Sequence, residues 1–221
     1  MGYPCQFRRG DDHCFAQDLI RPSLGGNGLF NSANLVLFVG HSAAGKETVL
    51  SLGHAQSYIP FYNSGFSSQM DWVEMNDMRL GSATCKWAAF YSCNLFRDSP
   101  RANPIYSSMK NLDHLAITED LHIMQAYASE MSVHPDFSKH WPTALHGGTG
   151  VAANHTVLGA WRYVCDRTQP KESGTSANIS RSVYWPECAG DFIYGYGPQT
   201  DPFPDRVQGE LLEDDQIAPP Q

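Results

Sequence analysis

The residues best suited to chemistry are a histidine and a cysteine, each placed just after a short apolar run. His41 follows Leu35-Val36-Leu37-Phe38-Val39-Gly40, and Cys93 follows Trp87-Ala88-Ala89-Phe90-Tyr91-Ser92. A thiol needs a base or an electropositive neighbour to become a nucleophilic thiolate, and an imidazole supplies one. The same stretch carries two competing readings. Gly40-His41-Ser42-Ala43-Ala44 approximates the G-x-S-x-G turn that exposes a nucleophilic serine, with Ser42 in that role. About 40 residues precede it, fewer than the strands and oxyanion loop such a hydrolase places before its serine. The Gly-rich Leu145–Gly150 looks like that loop but follows Ser42. Gly40, Gly45 and Lys46 also fit a phosphate-binding G-x-x-x-x-G-K, but the next residue is Glu47 where a magnesium-binding Ser or Thr belongs. The second run ends in Ser-Cys-Asn, so it offers no Asp for the metal.

These side chains need elements to hold them. Leu35–Val39 and Trp87–Tyr91 are unbroken apolar runs of strand length, the pattern of strands covered on both faces of a parallel sheet. Leu121–Tyr127 predicts a third such strand and Ser57–Tyr62 a weaker one. Ile105–His114 reads as a helix between the second and third strands. Val151, Val157, Leu158, Trp161 and Val164 share one helical face within residues 150–164, after a Gly147-Gly148 turn. Strands alternating with helices predict an α/β domain with a mostly parallel central sheet. In such sheets ligands sit beyond the carboxyl ends of the strands, which is where His41 and Cys93 fall. Adjacent parallel strands lie about 4.8 Å apart, so residues just past two such ends can reach one another.

The chain has 221 residues, room for one large domain. Residues 1–30 read as a loop-rich N-terminal segment, 31–200 as the α/β domain, and 201–221 as an acidic, Pro-rich tail expected to be disordered. A net charge of −8 argues against nucleic-acid binding, which draws its affinity from clustered Lys and Arg. No apolar run approaches the ~20 residues of a membrane helix, and no signal peptide is visible at the N-terminus. The default reading is cytoplasmic, with secretion open. Six cysteines include no C-x-x-C pair, so a zinc ribbon or thioredoxin motif is unsupported; Cys5/Cys14 and Cys165/Cys188 are the pairs that could bridge in a secreted protein.

The remaining candidates are weaker in kind. Nine histidines contain no H-E-x-x-H pair. His134 and His140 flank Pro135-Asp136-Phe137 in an expected loop and read as surface histidines rather than zinc ligands. His122 alternates with apolar neighbours and reads as a satisfied core or pocket residue. Asp11-Asp12-His13 reads as a solvated loop. Glu119 and Asp120, before the third strand, are candidate contacts for a basic substrate group. Tyr184, Trp185, Phe192, Tyr194 and Tyr196 predict an aromatic strand packed on the core. No metal or cofactor is expected.

A hydrophobic block before Gly-His and another before Ser-Cys resembles the caspase/gingipain/legumain superfamily of cysteine peptidases, and more narrowly a bacterial branch of caspase-like proteins. The resembling segments are Val39–Ser42, Leu80–Leu95, Asp120–Met124 and Ala160-Trp161, within roughly residues 30–165. The resemblance implies a three-layer caspase-like domain, with Cys93 as nucleophile, His41 as base and a peptide or amide substrate. Backbone N–H groups near Ser42 and Cys93 would face the oxyanion, and Ser92 and Asn94 would shape the turn. The superfamily places Gly after the histidine, and here Ser42 stands there. A transpeptidase or cyclase would use the same dyad. A serine esterase built on Ser42 and an inactive caspase-like binding module are the readings from other classes.

Overall fold

A computed structural model of the chain describes residues 16–42, 58–62, 70–74, 77–78, 80–81, 84–96, 121–132, 134–148, 155–169, 179–193, 197–199 and 212–217. Among the described residues, seven strands run in chain order: β1 Leu35–Val39, β2 Tyr58–Tyr62, β3 Met70–Glu74, β4 Trp87–Tyr91, β5 Ile123–Tyr127, β6 Ile179–Tyr184 and β7 Leu212–Ile217. The α-helices among the described residues are α1 Ala16–Leu19, α2 Phe137–His146 and α3 Val157–Thr168. Five strands form one mixed sheet in the order β1-β4-β5-β6-β7, and β2 and β3 form a separate antiparallel pair. The β1, β4 and β5 strands are parallel, whereas β6 and β7 each join antiparallel. The chain is therefore an α/β domain whose sheet is parallel on the side that carries His41 and Cys93.

Alternation along the strands sends side chains to two cores. Ala88 and Phe90 of β4 pack with Val36 and Phe38 of β1, Met124 and Ala126 of β5, Leu19 of α1, and Ile59 and Val73 of the β2–β3 pair. Trp87, Ala89 and Tyr91 point the other way and pack with Ile123 and Tyr127 under α2 and α3. Every residue of β4 and β5 is buried, which explains why those strands lack polar alternation. The edge strand β1 buries only Val36 and Phe38 and leaves Val39 half exposed.

Helix α3 forms because its apolar residues recur at helical spacing, burying Val157, Leu158, Trp161, Val164, Cys165 and Thr168 on one side. Thr156 caps it by accepting from Gly159 N–H at 3.1 Å. Trp161 meets Tyr127 and Phe137 at ring-centroid distances of 5.6 and 5.8 Å. Truncating a buried aromatic of this size costs about 3–5 kcal/mol.

Several expectations need correction. Residues 137–146 are helix α2, not loop, with Phe137, Trp141, Ala144 and Leu145 buried at helical spacing. His140 lies on that helix. His134 Nδ1 accepts from Asp136 N–H at 3.2 Å at the entry to α2. Within the segment read as a disordered tail, 212–217 form β7, because the row of backbone groups on β6 accepts another strand. Of the aromatic strand expected over Tyr184–Tyr196, Tyr184 ends β6 and a 3-10 helix, Pro186–Gly190, follows, since Pro186 cannot donate to a sheet ladder; Tyr194 and Tyr196 lie outside the described residues. Cys165 and Cys188 are buried and form no disulfide. Glu119, Asp120, the helix expected at 105–114, residues 43–48 of the phosphate-loop reading, Cys5, Cys14, and the Asp11-Asp12-His13 cluster lie outside the described residues.

Candidate functional site

The parallel pairing of β1 and β4 fixes the geometry of the site. Val39 is in register with Tyr91. Gly40 N–H continues the ladder, donating to the Tyr91 carbonyl at 3.2 Å. His41 is two residues past Val39 and Cys93 two past Tyr91. The two therefore stand level on neighbouring strand ends at the carboxyl edge of the sheet. His41 is exposed, and Cys93 is half-buried.

The two ends are also tied together. The Ser42 hydroxyl donates to the carbonyl of Cys93 across a short contact. Ser42 itself is buried. This is a structural use of the hydroxyl, and it turns Ser42 away from the open position that a serine nucleophile occupies in the strand-to-helix elbow reading.

The turn after β4 is sharply bent. Ser92 N–H donates to the Phe90 carbonyl at 2.9 Å, and Asn94 N–H donates to the Ser129 carbonyl at 2.9 Å. Asn94 has φ +56, in the left-handed region that Asn tolerates better than most residues. Ser92 and Asn94 thus shape the turn, and their amides are already engaged. Among the described residues, the Cys93 N–H meets no backbone acceptor.

The thiol faces the loop after β5. Met131 N–H points to Cys93 Sγ at 3.4 Å, and Sγ lies 3.5 Å from the Met131 carbonyl. That loop is held from below. Tyr91 Oη donates to the Ser132 carbonyl at 3.0 Å and accepts from Gln169 Nε2 at 2.9 Å. Gln169 Oε1 accepts from Ser132 N–H at 3.0 Å. Tyr91 in turn stacks on Phe137 with centroids 3.7 Å apart. Burial pushes the Tyr91 phenol above its ordinary value, so it stays protonated and able to donate. Arg181, buried on β6, donates from Nη1 to the Phe96 carbonyl at 3.0 Å and pins the far side of the same turn.

The other thiols differ in kind. Cys85 and Cys165 are both pushed up to about 12 by burial, which holds them neutral. Cys165 Sγ lies 3.0 Å from Tyr127 Oη inside the core. His122 is buried at the opposite edge of the sheet, with Nδ1 2.6 Å from Asp191 Oδ2, at the core position its apolar neighbours predict.

The sequence pointed to His41 and Cys93 but missed the residues that hold the turn around Cys93. Met131, Gln169 and Arg181 carry no motif, and their contacts span tens of residues. No helix among the described residues is long and apolar enough to cross a membrane. No curated protein and no solved structure matches the chain. Residues 1–210 match the model of DUF6345, a domain of unknown function, and the chain belongs to that family.

Proposed function

We propose that the chain is a cysteine-nucleophile hydrolase of the caspase-like type, acting on peptide or amide bonds through His41 and Cys93. The observation that carries this reading is the register that sets the two residues level on adjacent parallel strands. The half-buried position of Cys93 adds to it, because a substrate can reach its sulfur. A sheet covered on both faces fits the three-layer caspase-like arrangement.

In this scheme the Cys93 thiol gives its proton to the His41 imidazole as Sγ bonds to the substrate carbonyl carbon. The Cys93 N–H faces the resulting oxyanion. The C–N bond then breaks, and the amine leaves with the proton returned by His41. Water, deprotonated by His41, attacks the thioester, releasing the acid and restoring the thiol. An amine in place of water gives transpeptidation by the same steps.

The experiment compares Cys93→Ala with Ser42→Ala on a pool of fluorogenic peptides, with a thiol alkylator and a fluorophosphonate as probes. The reading expects hydrolysis and alkylation to be lost in Cys93→Ala and largely kept in Ser42→Ala. Fluorophosphonate labelling at Ser42 would make the chain a serine esterase. An unreactive Cys93 would leave a caspase-like binding module.

A further inference from the structure

The amino ends of β4 and β5 enclose three donor side chains that play no part in the reaction above. His122 stands just before β5, Cys188 sits in the 3-10 helix, and Asp191 follows it. All three are buried, at 1%, 0% and 1% exposure. One ligand atom from each, an imidazole nitrogen, a thiol sulfur and a carboxylate oxygen, lies within 4.8 Å of the other two.

Local structure brings them together. A 3-10 helix has three residues per turn, so Cys188 and Asp191 emerge on one side. Asp191 N–H donates to the Cys188 carbonyl at 3.0 Å, closing that turn. Trp185 N–H donates to the His122 carbonyl at 3.2 Å, which docks the segment against the start of β5.

We propose that His122, Cys188 and Asp191 form a buried zinc site. The donor set is mixed nitrogen, sulfur and oxygen, which suits borderline-soft Zn(II) better than magnesium or calcium. The charges close. A thiolate and a carboxylate offset the dication, and a neutral imidazole adds nothing, so the centre carries no net charge in a dry interior. Trp87 Nε1 donates to Asp191 Oδ2 at 3.2 Å and fixes the carboxylate from outside, as supporting groups do at metal centres.

Ligand atoms around a tetrahedral zinc stand about 3.3–3.7 Å apart, given bonds of ~2.0–2.3 Å. The His122–Asp191 pair therefore opens by somewhat under 1 Å while the sulfur closes in. Binding releases the Cys188 thiol proton to solvent, and the proton held between His122 Nδ1 and Asp191 Oδ2 moves to His122 Nε2, which keeps the imidazole neutral. Three protein donors leave one position for water. The metal ties the start of β5 to the segment that also receives the first amide of α3, since Val157 N–H donates to the Asp191 carbonyl at 2.8 Å.

The test uses the full chain, stripped of metal and given one equivalent of Co(II) or Zn(II). The proposal expects one Co(II) per chain, with the visible bands of a tetrahedral ion and a sulfur-to-cobalt charge-transfer band. Both features are lost in Cys188→Ser and in Asp191→Asn, and kept in Cys85→Ser. X-ray absorption on the zinc-loaded wild type, which needs no variant to fold, expects one sulfur and otherwise nitrogen or oxygen neighbours. Failure to retain metal on dialysis, a shell without sulfur, or a cobalt spectrum unchanged by Cys188→Ser would overturn it.

Discussion

Each end of the sheet holds a histidine and a cysteine, and the two ends are built for opposite purposes. At the carboxyl end, His41 is exposed and Cys93 half-buried, on turns that project beyond β1 and β4. At the amino end, His122 and Cys188 are sealed with Asp191 among aromatic rings, Trp87 meeting His122 edge-on at 6.2 Å. Residue type is the same in both places. What differs is access. A half-buried thiol and an exposed imidazole on neighbouring strand ends can meet a substrate, whereas a buried His–Asp pair holds secondary structure together and leaves no room for one. Cys85 and Cys165, raised to about 12, belong with the sealed group.

The sharpest way to break this contrast is to remove the open thiol. Cys93→Ala should lower kcat/KM by on the order of 10^4-fold or more, measured per folded molecule with the near-UV circular dichroism matched. An unchanged rate would move the chemistry away from this edge. His41→Ala should follow with a loss of roughly 10^2–10^4-fold, the range of a positioned general base.

The sealed end should respond in stability instead. Asp191→Ala removes the acceptor shared by His122 and Trp87, and urea melts should show a loss of about 3–5 kcal/mol with the rate per folded molecule unchanged. A variant that melts like the wild type would refute the cohesive role.

Alkaline melts sharpen the same distinction. The Cys85 and Cys165 thiols hold their protons more tightly folded than unfolded, since burial moves them from 9.0 to about 12. Their contribution is complete below pH 9 and is lost as pH rises from 9 toward 12. Stability should therefore fall across that window, and less steeply in Cys85→Ala relative to its own value at neutral pH. The smallest effect belongs to Ser42→Ala. Losing one hydroxyl-to-carbonyl bond costs about 1 kcal/mol, which reads as a tenfold or smaller drop in kcat/KM.

The open end was legible in the sequence because its signals are local. An unbroken apolar run followed by Gly-His or Ser-Cys marks a buried strand and what lies past its end. Leu35–Val39 and Trp87–Tyr91 form strands over those very residues. The sealed end was not legible. His122 and Asp191 are 69 positions apart, and their pairing depends on how β5 and the 3-10 helix dock. His122 showed only as a polar residue among apolar ones. Helix α2 was missed because Pro135-Asp136-Phe137 read as a loop, while Phe137, Trp141, Ala144 and Leu145 supplied the buried face that decides the matter. The acidic Leu212–Ile217 was read by composition alone, although the partner strand β6 sets its structure.

The central claim is that His41 activates Cys93, and the rate of Cys93 alkylation across pH tests it most directly. Labelling by iodoacetamide, mapped by mass spectrometry, should reach Cys93 well ahead of Cys85, Cys165 and Cys188, and His41→Ala should slow it at neutral pH. A Cys93 rate that His41→Ala leaves untouched, or a Cys93 no faster than the buried thiols, would contradict the account.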